Sequence, residues 1–151
     1  MPNQIVFPYG ITLKKDGEIS AVPIAEVAFL SKEGEWLSLF LIIDSGATIS
    51  ALPKSDSVVF GIEAEKGRLV IISGIGGEKL RGWQHQIKGR LGGKLIIFPV
   101  VFLDKDVAPR VLGRTGIFEK FILVFDEKFK KSGFFDNNHR QIKIIRKFLN
   151  I

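Results

Sequence analysis

Cysteine is absent from the 151-residue sequence, and imidazole is scarce, with His85 and His139 the only two histidines. Those absences exclude thiolate zinc sites, iron–sulfur clusters, cysteine nucleophiles and a disulfide framework. Long hydrophobic stretches are missing as well. The longest apolar runs are Trp36–Ile43, ended by Asp44, and Leu95–Leu103, which carries Pro99 in its interior. Both are too short to span a bilayer. The opening residues, Met1-Pro-Asn-Gln-Ile-Val-Phe, have neither the basic region nor the apolar core of a secretory leader. The expectation is a soluble cytoplasmic protein with no membrane partner, no metal and no cofactor. Its chemistry must then come from carboxylates, hydroxyls and backbone.

What is present describes a globular chain. Apolar residues make up 46% and charged residues 25%, a balance that excludes disorder. A chain of this length can bury about two-thirds of the surface its unfolded form exposes, so one domain needs no disulfide or metal to stabilise it. The formal charge of +6 is uneven. From Asp126 onward there are seven basic and three acidic residues, so most of the excess lies in the C-terminal segment.

Short apolar or alternating segments separated by Gly, Asp and Pro turns run along the whole chain, the pattern of an all-β barrel or sandwich. Strands are expected at Ile5–Phe7, Ile11–Lys14, Ile19–Leu30, Trp36–Ile43, Arg68–Ser73, Lys79–Lys88, Lys94–Leu103, Phe121–Asp126 and Gln141–Arg146. Turns are expected at Lys15-Asp16-Gly17, 32–35, 89–93 and 104–109. One short helix is expected over Thr115–Lys120, with Thr115 as its N-cap. Leu37–Ile43 is apolar at successive positions, which predicts a strand buried on both faces.

That strand ends in Asp44-Ser45-Gly46-Ala47, so a carboxylate leaves the core directly into a small-residue turn, followed by a second short strand through Pro53. Alone, Asp-Ser/Thr-Gly is a weak signal, arising by chance in roughly one chain of this length in twenty. Two further elements accompany it. Gly74-Ile75-Gly76-Gly77 lies 30 residues later between strand-like segments, and Val111-Leu112-Gly113-Arg114 follows, with its Gly113 39 residues after Gly74. A phosphate cradle does not fit, because no Gly-x-x-x-x-Gly-Lys-Ser/Thr or Gly-x-Gly-x-x-Gly occurs, and no Gly-x-Ser-x-Gly elbow surrounds Ser45. His85, in an alternating stretch, reads as a surface strand residue, and His139 as part of a polar turn.

Through these three motifs, from about Ile19 to Phe125, the sequence resembles the retropepsin-like aspartic proteases. The resemblance implies an all-β acid-protease barrel with one short helix after the Gly-Arg motif. It also implies that Asp44 is catalytic, that Ser45, Gly46 and Ala47 form the active-site turn, and that Gly74, Ile75, Gly76 and Gly77 form a flap. Ala47, Ile49, Ile75, Val111 and Leu112 would supply subsite walls or structural support, as would Gly113 and Arg114. Two positions depart from the retroviral pattern. Thr48 stands where an acidic residue is usual, and Thr115 stands where Asn or Asp is usual, so the customary ionic partner of Arg114 is missing. Residues 127–151 have no counterpart in the family pattern and read as a basic extension of a single domain spanning residues 1–151, with Phe134–Asn138 as a turn.

Peptide hydrolysis without a metal or covalent nucleophile needs one carboxylate as base and one carboxylic acid as proton donor. Two carboxylates about 3 Å apart share a proton and divide into those roles. The chain holds no second Asp-Ser/Thr-Gly, and Asp16 sits in a lysine-rich turn. The second aspartate must come from another copy, which predicts a homodimeric aspartic endopeptidase, a hydrolase acting on extended polypeptide. Ser45 would brace the two turns across the axis, and Gly46 would offer its carbonyl to substrate. The alternative is a non-proteolytic binding module of the same fold, whose basic tail takes nucleic acid or an acidic protein partner. Nucleic acid ranks well below peptide, because Gln141–Lys147 reads as a strand with one wet face.

Overall fold

The computed structural model describes residues 4–74 and 76–151. Ile75 of the expected flap lies outside the described residues. Among the described residues twelve strands are formed: β1 (Gln4–Pro8), β2 (Gly10–Leu13), β3 (Ile19–Val22), β4 (Ile24–Leu30), β5 (Trp36–Ile43), β6 (Ser50–Pro53), β7 (Arg68–Ser73), β8 (Lys79–Leu91), β9 (Lys94–Leu103), β10 (Val111–Leu112), β11 (Phe121–Asp126) and β12 (Lys131–Asp136). Two short helices, α1 (Lys54–Val59) and α2 (Ile142–Phe148), complete the elements with one 3-10 turn at Ala64–Lys66.

The largest sheet runs β4-β5-β10-β6-β9-β8-β7, and an additional β4–β8 pairing closes its first six strands into a ring. The all-β barrel is therefore present. Gly89 sits at this closure, paired with Phe29. A Cβ there would lie 3.2 Å from Val27 Cγ1 and 3.4 Å from the Ala28 carbonyl oxygen. The expected five-residue turn at 89–93 contracts accordingly to Gly92-Gly93, both at positive φ (55° and 81°). That is the two-residue hairpin geometry that glycine favours, and β8 extends through Leu91.

Alternation along β4 places Ala25, Val27 and Phe29 at 0% exposure on the barrel interior. Leu41 and Ile43 of β5 join them, whereas Phe40 is 60% exposed. The expectation that β5 is buried on both faces is thus corrected: in a barrel wall only the inner face meets the core.

A second sheet, β1-β12-β11, packs its aromatic residues into the same core. Phe134 at its centre is fully buried between Phe7 and Phe121, both in edge-to-face contact at 5.8 and 5.9 Å. Lys94 of the barrel donates to Asp136 at the end of β12, and this bond holds the Asp136 carboxyl below its ordinary range. Residues 131–136 are therefore the middle strand of a sheet, so Phe134–Asp136 are not turn residues and the turn begins at Asn137.

Three other local readings change. The expected strand Gln141–Arg146 is helix α2, because Ile142, Ile145 and Leu149 are also spaced for one helical face; Ile142 is 1% exposed. The expected helix over Thr115–Lys120 is a run of successive turns, since Gly116 adopts φ 80° and breaks the right-handed path. The long strand Ile19–Leu30 divides at Pro23, which has no N–H for the ladder.

Candidate active site

β5 delivers Asp44 out of the core, and β6 leaves with Ser50 four residues after Gly46. Strand β10 lies between them, parallel to β5 through Val111↔Ile42 and antiparallel to β6 through Val111↔Ala51. The chain thus returns 67 positions after Asp44 to thread the gap between the strands entering and leaving its turn. Backbone bonds then fix the turn from both sides. Asp44 N–H donates to the Leu112 carbonyl (3.0 Å), Arg114 N–H to the Ala47 carbonyl (3.0 Å), and Thr115 N–H to the Thr48 carbonyl (2.9 Å).

Asp44, Ser45 and Gly46 are exposed and Ala47 is half-buried. Gly46 N–H donates to Asp44 Oδ1 at 2.8 Å, which holds the carboxylate over its own turn. This orients one oxygen through the backbone and presents the group to solvent. Asp16, by contrast, accepts from Glu18 N–H at 3.0 Å within the β2–β3 turn, a purely local role.

Ser50 is the residue that sequence reasoning missed. It is 0% exposed, and its Oγ accepts from the Gly113 N–H at 2.9 Å, joining positions 63 residues apart. A serine between Ile49 and Ala51 carries no signal of this in the sequence. Ser50→Ala leaves the buried Gly113 N–H without a partner and is expected to cost about 1–3 kcal/mol. Denaturant unfolding checks it, with a lower midpoint at unchanged slope as the expected outcome.

The two departures from the retroviral pattern meet each other. Thr115 Oγ1 donates to the Thr48 carbonyl at 2.7 Å, and Arg114 Nη2 donates to Thr48 Oγ1 at 3.4 Å. Arg114 thus meets a hydroxyl rather than a carboxylate here. A strong ion pair forms one turn earlier in the chain: Arg110 makes a bidentate contact with Asp56 of α1 at 2.7 and 2.9 Å, and the Asp56 residue is 7% exposed. That carboxylate holds the Arg110 guanidinium above its ordinary value. Since Ile42 N–H donates to the Arg110 carbonyl, α1 anchors the chain just before β10.

Gly74, Gly76 and Gly77 lie in the hairpin between β7 and β8, all exposed. Gly74 N–H donates to the Glu78 carbonyl, and Gly76 and Gly77 take φ of 97° and 82°. A small apolar cluster of Ala51, Val101 and Leu103 connects the two regions. Ile49 beside the turn, Val70 and Ile72 of β7, and Leu80 of β8 pack against it. Val111 is half-buried, while Leu112 is 0% exposed in the barrel core, which makes it a supporting residue rather than a wall. His85 is half-buried; its Nε2–H donates to the Ala64 carbonyl at 2.8 Å, so the surface reading of this residue is corrected.

Among solved structures, the chain is similar to a retropepsin-like aspartic protease from Rickettsia conorii. The match has TM-score 0.58 and 17% identity, covering 86% of this chain and 97% of that one. It is also similar to EIAV protease complexed with the inhibitor HBY-793, with TM-score 0.46 and 22% identity, over 62% of this chain and 82% of that one. No protein-family model and no curated protein matches the sequence. The chain has a retropepsin-like fold.

Proposed function

We propose that the protein is a homodimeric aspartic endopeptidase, with one Asp44 from each protomer forming the reacting pair. The observation that carries this reading is the Asp44 turn itself. An exposed carboxylate, oriented by Gly46 N–H, is held at the mouth of a retropepsin-like barrel by a strand threaded between its flanking strands.

A two-fold axis beside this turn brings the same side chain from both copies together. The charged carboxylate takes a proton from water as the water oxygen attacks the scissile carbonyl carbon. The protonated partner gives its proton to the carbonyl oxygen, forming a tetrahedral diol. The proton gained by the first carboxylate then passes to the amide nitrogen, the C–N bond breaks, and collapse of the diol returns a proton to the pair. Ser45 braces the two turns. The hairpin at 74–77 closes over an extended peptide and pairs with its backbone. Ile49, Val70, Ile72 and Leu80, the half-buried residues that pack on the cluster of Ala51, Val101 and Leu103, form apolar subsite walls.

The test is cleavage of an unstructured polypeptide over a range of enzyme concentrations, with sedimentation in parallel. Specific activity is expected to fall on dilution as dimers dissociate, and its pH profile to be bell-shaped, because only the singly protonated pair works. Undiminished activity in a sedimenting monomer overturns the reading. An inactive dimer that retains oligonucleotides in a salt-sensitive manner favours the basic-tail alternative.

A further inference from the structure

Strands β2 and β3 form a two-stranded sheet of their own, apart from the barrel and from the β1-β12-β11 sheet. Their polarity is inverted. The register pairs Thr12 with Ser20 and Gly10 with Val22 on one face, and Ile11 with Ala21 and Leu13 with Ile19 on the other. The first face, small and largely polar, is half-buried, with Thr12 Oγ1 donating to the Ser20 carbonyl. The apolar face points outward: Ile11 is 78%, Leu13 74% and Ile19 69% exposed. The tip beyond them is polar, with Lys14 paired to Glu18 at 2.6 Å.

A two-stranded ribbon gains little stability alone in water, and a face of four adjacent apolar side chains is an interaction surface until something covers it. The position of the ribbon's root bears on what covers it. β3 ends one residue before Pro23, whose carbonyl accepts from the N–H of Ile43, the residue preceding Asp44, at 2.9 Å. Gly10 at the start of β2 makes this root close, since a Cβ there would lie 2.8 Å from Ile24 Cδ1. The ribbon is therefore rooted within about 10 Å of the Asp44 backbone. An axis that brings two carboxylates to about 3 Å passes equally near. A four-residue strand is about 13 Å long, enough to reach over the second copy.

We infer that the β2–β3 ribbon is an arm whose apolar face, Ile11, Leu13, Ile19 and Ala21, packs on the second protomer and holds the Asp44 pair together. This rests on the homodimer reading and deepens it. The occupant is a second copy because the site is incomplete without one and because the arm starts beside that site. Its polar tip then emerges into solvent past the contact.

The experiment is the double variant Leu13→Ser/Ile19→Ser in the full chain, read by sedimentation and by cleavage over a concentration series. Both side chains are exposed in the protomer, so circular dichroism of the variant is expected to match that of the parent. The dimer dissociation constant is expected to rise about a hundredfold or more, since each apolar group is lost from two symmetric arms. Cleavage per dimer at high concentration is expected to be retained. A control pair on α2, Ile144→Ser/Phe148→Ser, removes apolar groups that are likewise exposed (62% and 84%) and is expected to leave the constant unchanged. If the parent is an active dimer and L13S/I19S dimerises equally well, the arm inference fails and the homodimer reading stands. An unchanged dissociation constant with a raised KM also overturns it, placing the face against substrate instead. A parent that is monomeric and inactive overturns the homodimer reading, and the arm with it. If L13S/I19S does not fold, the single variant Ile11→Ser reads the same constant with the same outcomes.

Discussion

Asp44→Asn is expected to reduce cleavage by about three orders of magnitude or more, while leaving fold and dimer intact. The size of the effect follows from symmetry: one substitution removes both the carboxylate that activates water and the acid that protonates the carbonyl. Retention of the fold follows from the local geometry. Asp44 is exposed, and the asparagine oxygen can accept the same hydrogen bond from Gly46 N–H that Asp44 Oδ1 accepts at 2.8 Å. The change in unfolding free energy should stay within about 0.5 kcal/mol, as for other surface substitutions. Subunit mixing adds a sharper reading. When equal amounts of parent and D44N protomers exchange at random, parent activity should fall to about half, because half of the parent protomers then face a partner without a carboxylate. Activity that ignores the added variant would mean that each protomer works alone, and the shared site would be wrong.

Strand positions were legible where hydrophobic pattern and turn chemistry agreed. β5, β7, β9 and β11 begin and end where the sequence places them, each bounded by a charge, a glycine or a serine. In the C-terminal segment the hydrophobic pattern fits two structures. Ile142, Ile144 and Ile145 alternate with basic residues closely enough to read as a strand, yet Ile142 and Ile145 are also one helical step apart, and burial of Ile142 in a helix prevails. Helix α1 was not legible, since Ser55, Asp56, Ser57, Val58 and Val59 are all poor helix formers. Packing against the barrel and the Asp56–Arg110 pair stabilise it instead.

For the candidate site, the three motifs could be found as words in the sequence, but their mutual contact could not. The spacing between Asp44 and Val111 says nothing of β10 lying between β5 and β6. The Ser50–Gly113 bond is equally silent, because it depends on β10 lying alongside β6, a pairing that only the fold sets. The two threonines at positions 48 and 115 lie far apart in the sequence, which does not show that Thr115 Oγ1 donates to the Thr48 carbonyl or that Arg114 reaches Thr48 Oγ1.

Gly113→Ala is expected to be the most damaging substitution for stability near the site. Gly113 does not adopt a positive φ, so the difficulty is space rather than backbone conformation. A Cβ at this position would meet the Ile49 carbonyl carbon, lie 2.5 Å from its oxygen and 2.8 Å from Ser50 N. All three are backbone atoms, so no flexible side chain can swing aside. Relief requires β10 and the end of the Asp44 turn to separate, which strains the packed interior and lengthens the Ser50–Gly113 hydrogen bond together with the adjoining Arg114–Ala47 bond. Overpacking and a weakened buried bond together should cost about 3 kcal/mol. For a chain of this size that lowers the thermal midpoint by about 6–12 °C. Activity in the folded fraction should fall about a hundredfold as well, because a displacement near 1 Å of the turn misplaces the carboxylate. Ser50→Ala separates the two causes, since it removes the bond without forcing the strands apart and should leave most of the activity. In the double variant the losses should sum to less than the two single costs, because a bond already weakened by the alanine at 113 has little left to lose. Full additivity in denaturant unfolding, or a Gly113→Ala protein with parental stability, would show that Gly113 does not lie as close to the Ile49–Ser50 backbone as the structure places it.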